Sequence, residues 1–342
     1  QGYLDAFEQA AGAGCRDAAV EVTSQALAQG YAKRWRFDLA VFTNLSRDHV
    51  SQHGSWEHYL ASKAQLFVHL GPGQSAVLNA ADESALLIDR VTPEDVKRVW
   101  YRVPSRGPEL CASDLTAREV RVSIDGTQIA LEPSPLADAL GGNLRTQLIG
   151  EVFAENALAA AAGALAAGVD GATVVRGIAE CPGVPGRFEL VARAPVAIAV
   201  DYAHTPDALA RTCDAARALA GRARVIVVFG AGGGADPEKR EPMGRAVGQR
   251  ADVAVVTNDN PRREDPKAIA KAVTRGAERG GRAYVVVELD RRAAIRQALE
   301  RARAGDVVVI AGKGHERGQT IGAETLPFSD AEEVQQLLGG HG

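Results

Sequence analysis

From residue 197 onward, short unbroken apolar runs alternate with longer amphipathic stretches. The runs are A-I-A-V-D-Y (197–202), V-I-V-V-F-G (225–230), V-A-V-V-T-N (253–258), Y-V-V-V-E (284–288) and V-V-V-I-A (307–311). They do not alternate apolar with polar, so both faces of each strand are expected to be covered, as in a parallel sheet. Between them, Pro206–Ala220, Pro242–Gln249, Pro266–Arg279 and Arg291–Arg303 read as helices. The pattern predicts a doubly wound α/β unit, a fold that holds ligands at the carboxyl ends of its strands.

The first half is α/β as well, with a less regular rhythm. The opening Y-L-D-A-F-E-Q-A reads as helix, Asp17–Val22 and Leu39–Thr43 as strands, and Trp56–His69 as helix. Glu119–Ile124 and Gln128–Leu131 flank Asp125-Gly126, a hairpin signal. Ala154–Ala167 is an alanine-rich helix. Two prolines and two glycines in C-P-G-V-P-G (181–186) mark a linker, which puts a boundary near 185 and two units at 1–185 and 186–342. The chain opens on Gln inside a helical stretch, and the expectation is that a further N-terminal piece precedes it.

Composition narrows the function classes. Of 342 residues, 46% are hydrophobic and 24% charged, ordinary for a globular protein, and the net charge of −4 gives no pull toward nucleic acid or an anionic membrane. No apolar run reaches the roughly 18 residues of a membrane span. No secretory signal pattern opens the chain, and Cys15, Cys111, Cys181 and Cys213 have no metal-type spacing, so reduced thiols in a cytoplasm are expected.

Four strand ends carry polar clusters: Asp201-Tyr202-Ala203-His204, Gly230-Ala231-Gly232-Gly233-Gly234, Asn258-Asp259-Asn260-Pro261-Arg262 and Gly312-Lys313-Gly314-His315-Glu316. Any one cluster could simply be a wet loop; four on one sheet edge predict a shared site. The glycine run formally fits G-x-G-x-x-[G/A], the dinucleotide pattern. That pattern needs a helix to open at once beneath the pyrophosphate, and Asp236-Pro237 and Pro242 delay it. No well-placed acid ends the next strand about 20 residues on, as a ribose contact requires, so a nicotinamide dehydrogenase is disfavoured. In the first half, Glu21 and the pair Asp48-His49 end predicted strands and could ligate magnesium or manganese. Lys63, on the helix E-H-Y-L-A-S-K-A-Q-L-F, reads by its own chemistry as a solvated surface residue.

Taken in order, eight stretches resemble one family, the Mur ligases, and its diaminopimelate-using branch in particular. They are E-V-T-S-Q-A-L-A-Q-G (21–30), F-T-N-L-S-R-D-H (42–49), Y-L-A-S-K-A-Q-L-F (59–67), P-G-R-F-E (185–189), D-Y-A-H-T-P-D-A-L (201–209), K-R-E-P-M-G (239–244), D-N-P-R-R-E-D-P (259–266) and A-G-K-G-H-E (311–316). The resemblance implies a central ATPase domain, truncated at its start, followed by a Rossmann-like ligase domain. It implies ATP and Mg²⁺ as cofactors. The substrates would be UDP-N-acetylmuramoyl-dipeptide and an amino acid such as meso-diaminopimelate, joined by a cytoplasmic monomer that binds neither nucleic acid nor membrane. By the same resemblance Asp201, His204, Arg187 and Asn156 would face the nucleotide, with His204, Arg187 and Lys63 catalytic. Lys63 would be carbamylated and, with Glu21 and His49, would hold the metal. Asp259, Asn260, Arg262, Gly312 and Glu316 would hold the incoming amino acid, and Ser24 and Gln29 the UDP-linked substrate.

The chain also departs from that family. It contains no G-x-x-x-x-G-K-[ST] phosphate loop, so as it stands it is expected to be inactive. Gln25 stands where the family usually has His, Tyr31 where it has Arg, Phe153 where it has Asn and Ser51 where it has Asp. Ala235 replaces an arginine that forks onto the amino acid's carboxylate, and a methyl group does not substitute for a guanidinium. These changes leave room for a ligase using another amino acid or acceptor, such as a polyglutamate- or cyanophycin-type enzyme, or for a non-catalytic relative acting as a binding protein.

Overall fold

The structure, a computed structural model, describes residues 2–45, 54–234 and 236–339. Three short helices come first: α1 (Gly2–Gly12), α2 (Ser24–Ala28) and α3 (Tyr31–Arg34). A six-stranded sheet follows, built in chain order from β1 (Leu39–Phe42), β2 (Ser75–Asn79), β3 (Lys97–Arg102), β4 (Leu115–Ser123), β5 (Gly126–Leu131) and β6 (Asn143–Thr146). β1 to β4 are parallel, while β5 and β6 return antiparallel. The expected hairpin is the β4–β5 pair, which closes at Ser123↔Gly126.

Alternate side chains of β2 feed opposite cores, which explains why all five of its residues are buried. Ala76 and Leu78 meet Phe67 of α4 (Trp56–Val68) and Ile88 of α5 (Glu83–Val91). Val77 faces the other way, into the core of α6 (Pro135–Ala139), α7 (Glu151–Ala166) and α8 (Gly171–Glu180). α7 crosses the sheet on alanines, and its start brings Ile149 and Phe153 into the core of the second unit.

One expectation fails here. Residues 17–22 form no strand but run as irregular chain. A strand needs a hydrogen-bonded neighbour, and β1, the outer strand of this sheet, pairs only with β2 among the described residues. The two valines, Val20 and Val22, therefore have β propensity without a ladder to join.

The second sheet has the order β11-β10-β9-β12-β8-β7. Its strands are β7 (Glu189–Ala192), β8 (Ala197–Asp201), β9 (Val225–Phe229), β10 (Val253–Val256), β11 (Tyr284–Val287) and β12 (Val307–Ala311), with β7 the one antiparallel member. Its faces are covered by α9 (Pro206–Ala220), α10 (Arg240–Gly248) and α11 (Pro266–Gly280) on one side. α12 (Arg291–Arg301) and α13 (Asp330–Gly339) cover the other. A hairpin of β13 (Gly318–Ile321) and β14 (Glu324–Pro327) leaves the carboxyl edge.

α10 and α11 touch backbone to backbone. A methyl group on Gly244 would sit 1.9 Å from the Val273 carbonyl oxygen, and one on Gly276 would sit 2.0 Å from that of Glu241. Gly248 and Gly280 repeat the contact one turn on, at 2.1 Å from the Ala277 carbonyl oxygen and 2.5 Å from the Gly248 carbonyl carbon. Among the described residues no helix is long and apolar enough to cross a membrane.

Candidate functional site

The four polar clusters meet at the carboxyl edge of the second sheet, because β10, β9, β12 and β8 are consecutive neighbours. The loops are stitched to one another. Gly312 donates to the Asp201 carbonyl (3.0 Å) and Gly233 to the Asn260 carbonyl (2.9 Å). The glycine run is a loop and not a helix start: a 3₁₀ turn spans Pro237–Lys239 and α10 begins only at Arg240. This agrees with the delay read from Asp236-Pro237.

Asp201 ends β8 with a buried carboxylate. It accepts from the amides of Phe188 (2.7 Å) and Ala203 (2.8 Å) and from the Thr212 hydroxyl (3.0 Å). Burial pushes this carboxyl above its ordinary range, against the pull of those bonds and of Arg187. Its work here is local: it fixes the turn at Arg187-Phe188, where Phe188 holds a φ of 45°. Arg187 is exposed, with its guanidinium 4.8 Å from the centre of the Tyr202 ring. His204 packs edge-on to the same ring (4.7 Å), with Nδ1 2.8 Å from the Tyr202 carbonyl oxygen. His315 lies on it too, at 5.4 Å. Arg187, Tyr202, His204 and His315 thus gather around one half-buried tyrosine ring, with Arg187 and His315 exposed, the kind of surface on which a planar base rests.

The second group lies one strand over. Asp259 and Asn260 are buried just beyond β10. Gly312 has a φ of +116°, and a side chain there would strike the Asp259 carboxylate at 2.3 Å. Only glycine satisfies both demands. Burial raises the Asp259 carboxyl, with Arg291 and Lys313 acting in the opposite sense. Asn260 donates through Nδ2 to Glu316 Oε2 (2.9 Å), and its Oδ1 receives the Thr320 amide (2.9 Å). Burial acts to raise Glu316, but hydrogen bonds from Lys313 and Asn260 prevail and hold its carboxyl below the usual range. Arg262 completes the group. Its backbone, at φ 52°, is gripped by the β13 hairpin through Thr320 (3.1 Å) and Gly322 (2.7 Å), and its Nη1 donates to the Gly233 carbonyl (2.5 Å). Two carboxylates and an amide beside a guanidinium suit a ligand carrying both an ammonium and a carboxylate.

The first unit contributes a separate concavity of about 290 Å³ beside α2, lined by Phe7, Glu21, Gln25, Gln29, Tyr31 and Trp35 among others. Gln29 caps α2, and Ser24 is buried in its first turn. Asn156 sits exposed on α7. Burial draws the Lys63 ammonium below the ordinary lysine range, with the charge of Glu21 acting the other way, and Nζ lies 5.9 Å from the centre of the Tyr59 ring. As an ammonium, Lys63 would repel a divalent cation. Burial favours its neutral amine, the form that takes up CO₂, and the resulting carbamate would set hard oxygen donors near the Glu21 carboxylate. Lys63 and Glu21 are the two described residues of the expected metal set, close enough for the charge of Glu21 to act on Lys63. His49, with Asp48, Ser51 and Ala235, lies outside the described residues. Among the described residues no cluster of three His, Cys, Asp or Glu side chains could hold a metal ion.

Several side chains that shape this edge carry no role in the sequence reading. Arg291 and Asp330 are both fully buried and pair through two bonds of 2.7 Å. Arg291 also donates to the carbonyls of Asn258 (3.3 Å) and Ala311 (3.0 Å), the residues that lead into the Asp259 and Gly312 loops. A signal existed: Arg291 opens α12, where the helix dipole disfavours a cation. Gln319 donates to the Asp259 carbonyl (2.9 Å), and Glu264 receives the Gly234 amide (2.6 Å) and Arg240 (2.7 Å).

An aromatic cluster and a charged group on one parallel-sheet edge, joined to a second α/β unit, define a two-unit α/β protein. Residues 2–164 match the Mur ligase middle domain, and residues 186–314 match the Mur ligase, glutamate ligase domain. A UDP-N-acetylmuramoyl-L-alanyl-D-glutamate–2,6-diaminopimelate ligase of Solibacter usitatus is 41% identical over 342 residues, 99% of this chain and 66% of its own length. The ligase of the same name from Gloeobacter violaceus is 39% identical over 328 residues, 95% of this chain and 64% of its own length. A solved structure under that ligase name is 33% identical with a TM-score of 0.65, covering 98% of this chain and 67% of the other. The chain belongs to the Mur ligase family, and it spans about two thirds of the length of these relatives.

Proposed function

We propose that this chain carries the nucleotide- and amino-acid-handling parts of an ATP-dependent amide ligase of peptidoglycan precursor synthesis. The reaction joins meso-diaminopimelate, or a closely related amino acid, to UDP-N-acetylmuramoyl-L-alanyl-D-glutamate. The observation that carries this reading is the pocket of Asp259, Asn260 and Glu316 beside Arg262, at the carboxyl edge of the second sheet. Relatives bearing that ligase name support the choice of amino acid. Ala235 leaves Arg262 as the guanidinium this reading relies on for the amino acid's carboxylate.

In this reading residues 1–185 hold ATP, magnesium and the UDP-linked substrate, and residues 186–342 bring the amino acid. Arg187, Tyr202 and His204 present their stacked surface to the nucleotide across the cleft, with Asp201 holding that turn in shape and Asn156 contributing from α7. Ser24 and Gln29, beside the α2 concavity, meet the UDP-linked substrate. Glu21, carbamylated Lys63 and His49 would hold magnesium, which when bound neutralises charge on the transferring phosphoryl group.

The substrate carboxylate attacks the γ-phosphorus of ATP, giving an acyl phosphate and ADP. The neutral amine of the amino acid then adds to the acyl carbon, and the tetrahedral intermediate expels phosphate to leave an amide. Asp259, Asn260 and Glu316 orient the amino acid, and approach of the two units excludes the water that would hydrolyse the acyl phosphate. The reading carries with it a cytoplasmic, monomeric enzyme.

The test is phosphate release by the full-length protein with the UDP-dipeptide, ATP and Mg²⁺, across a panel of amino acids. Release that depends on diaminopimelate alone is expected. Release with a different amino acid would replace the substrate assignment, and none with any would overturn the ligase reading.

A further inference from the structure

Lys313 is a fully buried charge at the candidate site. Lysines are rarely buried so completely unless paired. Nζ donates to Asn260 Oδ1 (3.0 Å) and to Glu316 Oε2 (2.9 Å). Because Asn260 Nδ2 donates to the same Glu316 oxygen (2.9 Å), the three side chains close a ring. The ring leaves no freedom in the amide: Oδ1 must face both Lys313 and the Thr320 amide, so Nδ2 must face Glu316. Glu316 is anchored through one oxygen while 34% of its side chain stays exposed. The chain turns Lys313 inward between Gly312 and Gly314, both at positive φ (116° and 52°).

Such a burial is costly, and an apolar side chain of the same length would fill the volume. What an apolar residue could not do is fix a neutral amide and a carboxylate in one orientation and keep the carboxylate charged. We propose that Lys313 is a positioning residue of the amino-acid pocket: its buried ammonium, together with the Asn260 amide it orients, locks Glu316 through Oε2 so that the other Glu316 oxygen is preorganised to accept from the ammonium group of the incoming amino acid. This rests on the reading of that pocket as the amino-acid site. Lys313 touches no substrate itself and acts through its two partners.

The test compares wild type, Lys313→Met, Glu316→Gln and the double variant in the full-length protein. The readouts are the KM for the amino acid, the KM for ATP and for the UDP-dipeptide, and the thermal midpoint. The expected result for Lys313→Met is a rise of about 10- to 100-fold in the amino-acid KM, the size of one lost charge-assisted hydrogen bond, with the other two KM values changed less than about twofold. Added to Glu316→Gln, the Lys313→Met change should cost less than about threefold more, because its main partner is already neutral. If Lys313→Met does not fold, the comparison of Glu316→Gln, which leaves the Lys313 charge with Asn260 alone, with the double variant, which removes that charge, decides by itself. Equal rises in all three KM values, an unchanged amino-acid KM, or full additivity in the double variant would overturn the proposal. Wild-type protein that releases no phosphate with any amino acid would overturn the ligase reading and this inference with it. Active wild type with an indifferent Lys313 would overturn this inference alone.

Discussion

Asp330→Asn should unfold the second unit out of proportion to its single-atom change. Asp330 has no exposed surface, and it pairs with Arg291 through both carboxylate oxygens at 2.7 Å. The amide keeps one acceptor, turns the other position into a donor facing a guanidinium, and leaves the Arg291 charge buried. Breaking a buried pair on one side costs about 3–5 kcal/mol, most of it from the stranded charge. The two backbone carbonyls that Arg291 also reaches, at 3.0 and 3.3 Å, recover only part of this. With a slope of about 2 kcal/mol per M urea, the midpoint falls by roughly 1.5–2.5 M. The assay is urea unfolding followed by circular dichroism. The same measurement on Arg291→Met with Asp330→Ala supplies the control, since removing both charges should hurt less than either change alone. A loss below about 1 kcal/mol for Asp330→Asn, or a double variant worse than both singles, would refute the argument that a stranded charge dominates.

Asp259→Asn should keep the fold and lose the ligand. Burial raises the Asp259 carboxyl in the folded protein, so the ionised form costs stability above its folded pKa, and that cost is relieved as pH falls through it. The variant should therefore melt no lower than wild type near neutral pH, with the difference shrinking in acid, while the amino-acid KM rises. A fall in melting temperature of more than about 4 °C would count against this. Lys63→Glu should retain more phosphate release than Lys63→Met if a carbamate oxygen is what the site uses, and equal loss would argue against it. The cysteines should react with a thiol reagent in order of exposure: Cys15 and Cys181 at once, Cys111 later. Cys213, fully buried and pushed up to about 12 by burial, should react only on unfolding. Fast modification of Cys213 in the native protein would contradict its place on the buried face of α9.

The second unit was legible because its central strands β8, β9, β10 and β12 are buried on both faces, so their apolar runs need no partner's identity to be read, whereas edge strand β11 leaves Tyr284 and Val287 exposed against the expectation of full cover. The first unit was harder. Val20 and Val22 look like strand residues, yet strand formation depends on a neighbour that local pattern does not reveal. β2 and β3 passed unnoticed because Ser75, Asn79, Lys97 and Arg98 dilute their apolar runs. Among the site residues, those at strand ends were accessible, since topology alone puts strand ends on one edge. Arg291 and Asp330 were not, because helix starts 39 residues apart show no pairing until both helices pack on the same face. Lys313 lay in plain view within G-K-G-H-E, but only its burial separates it from a lysine in solvent.

The backbone contact between α10 and α11 bears on how this protein tolerates change. The glycine loop after β9 leads toward α10, and the loop from Asp259 to Asp265 runs into α11, so the spacing of the two helices sets the spacing of both loops. A displacement of about 1 Å at a reacting group can cost a hundredfold in rate. In a randomised library, positions 244, 248, 276 and 280 should be as depleted as Asp259 itself, though they lie in the helix contact and not in the polar loops. Depletion at those four would mark the spacing of a lever, and efforts to change substrate preference would do best to leave it rigid and vary the loops it holds.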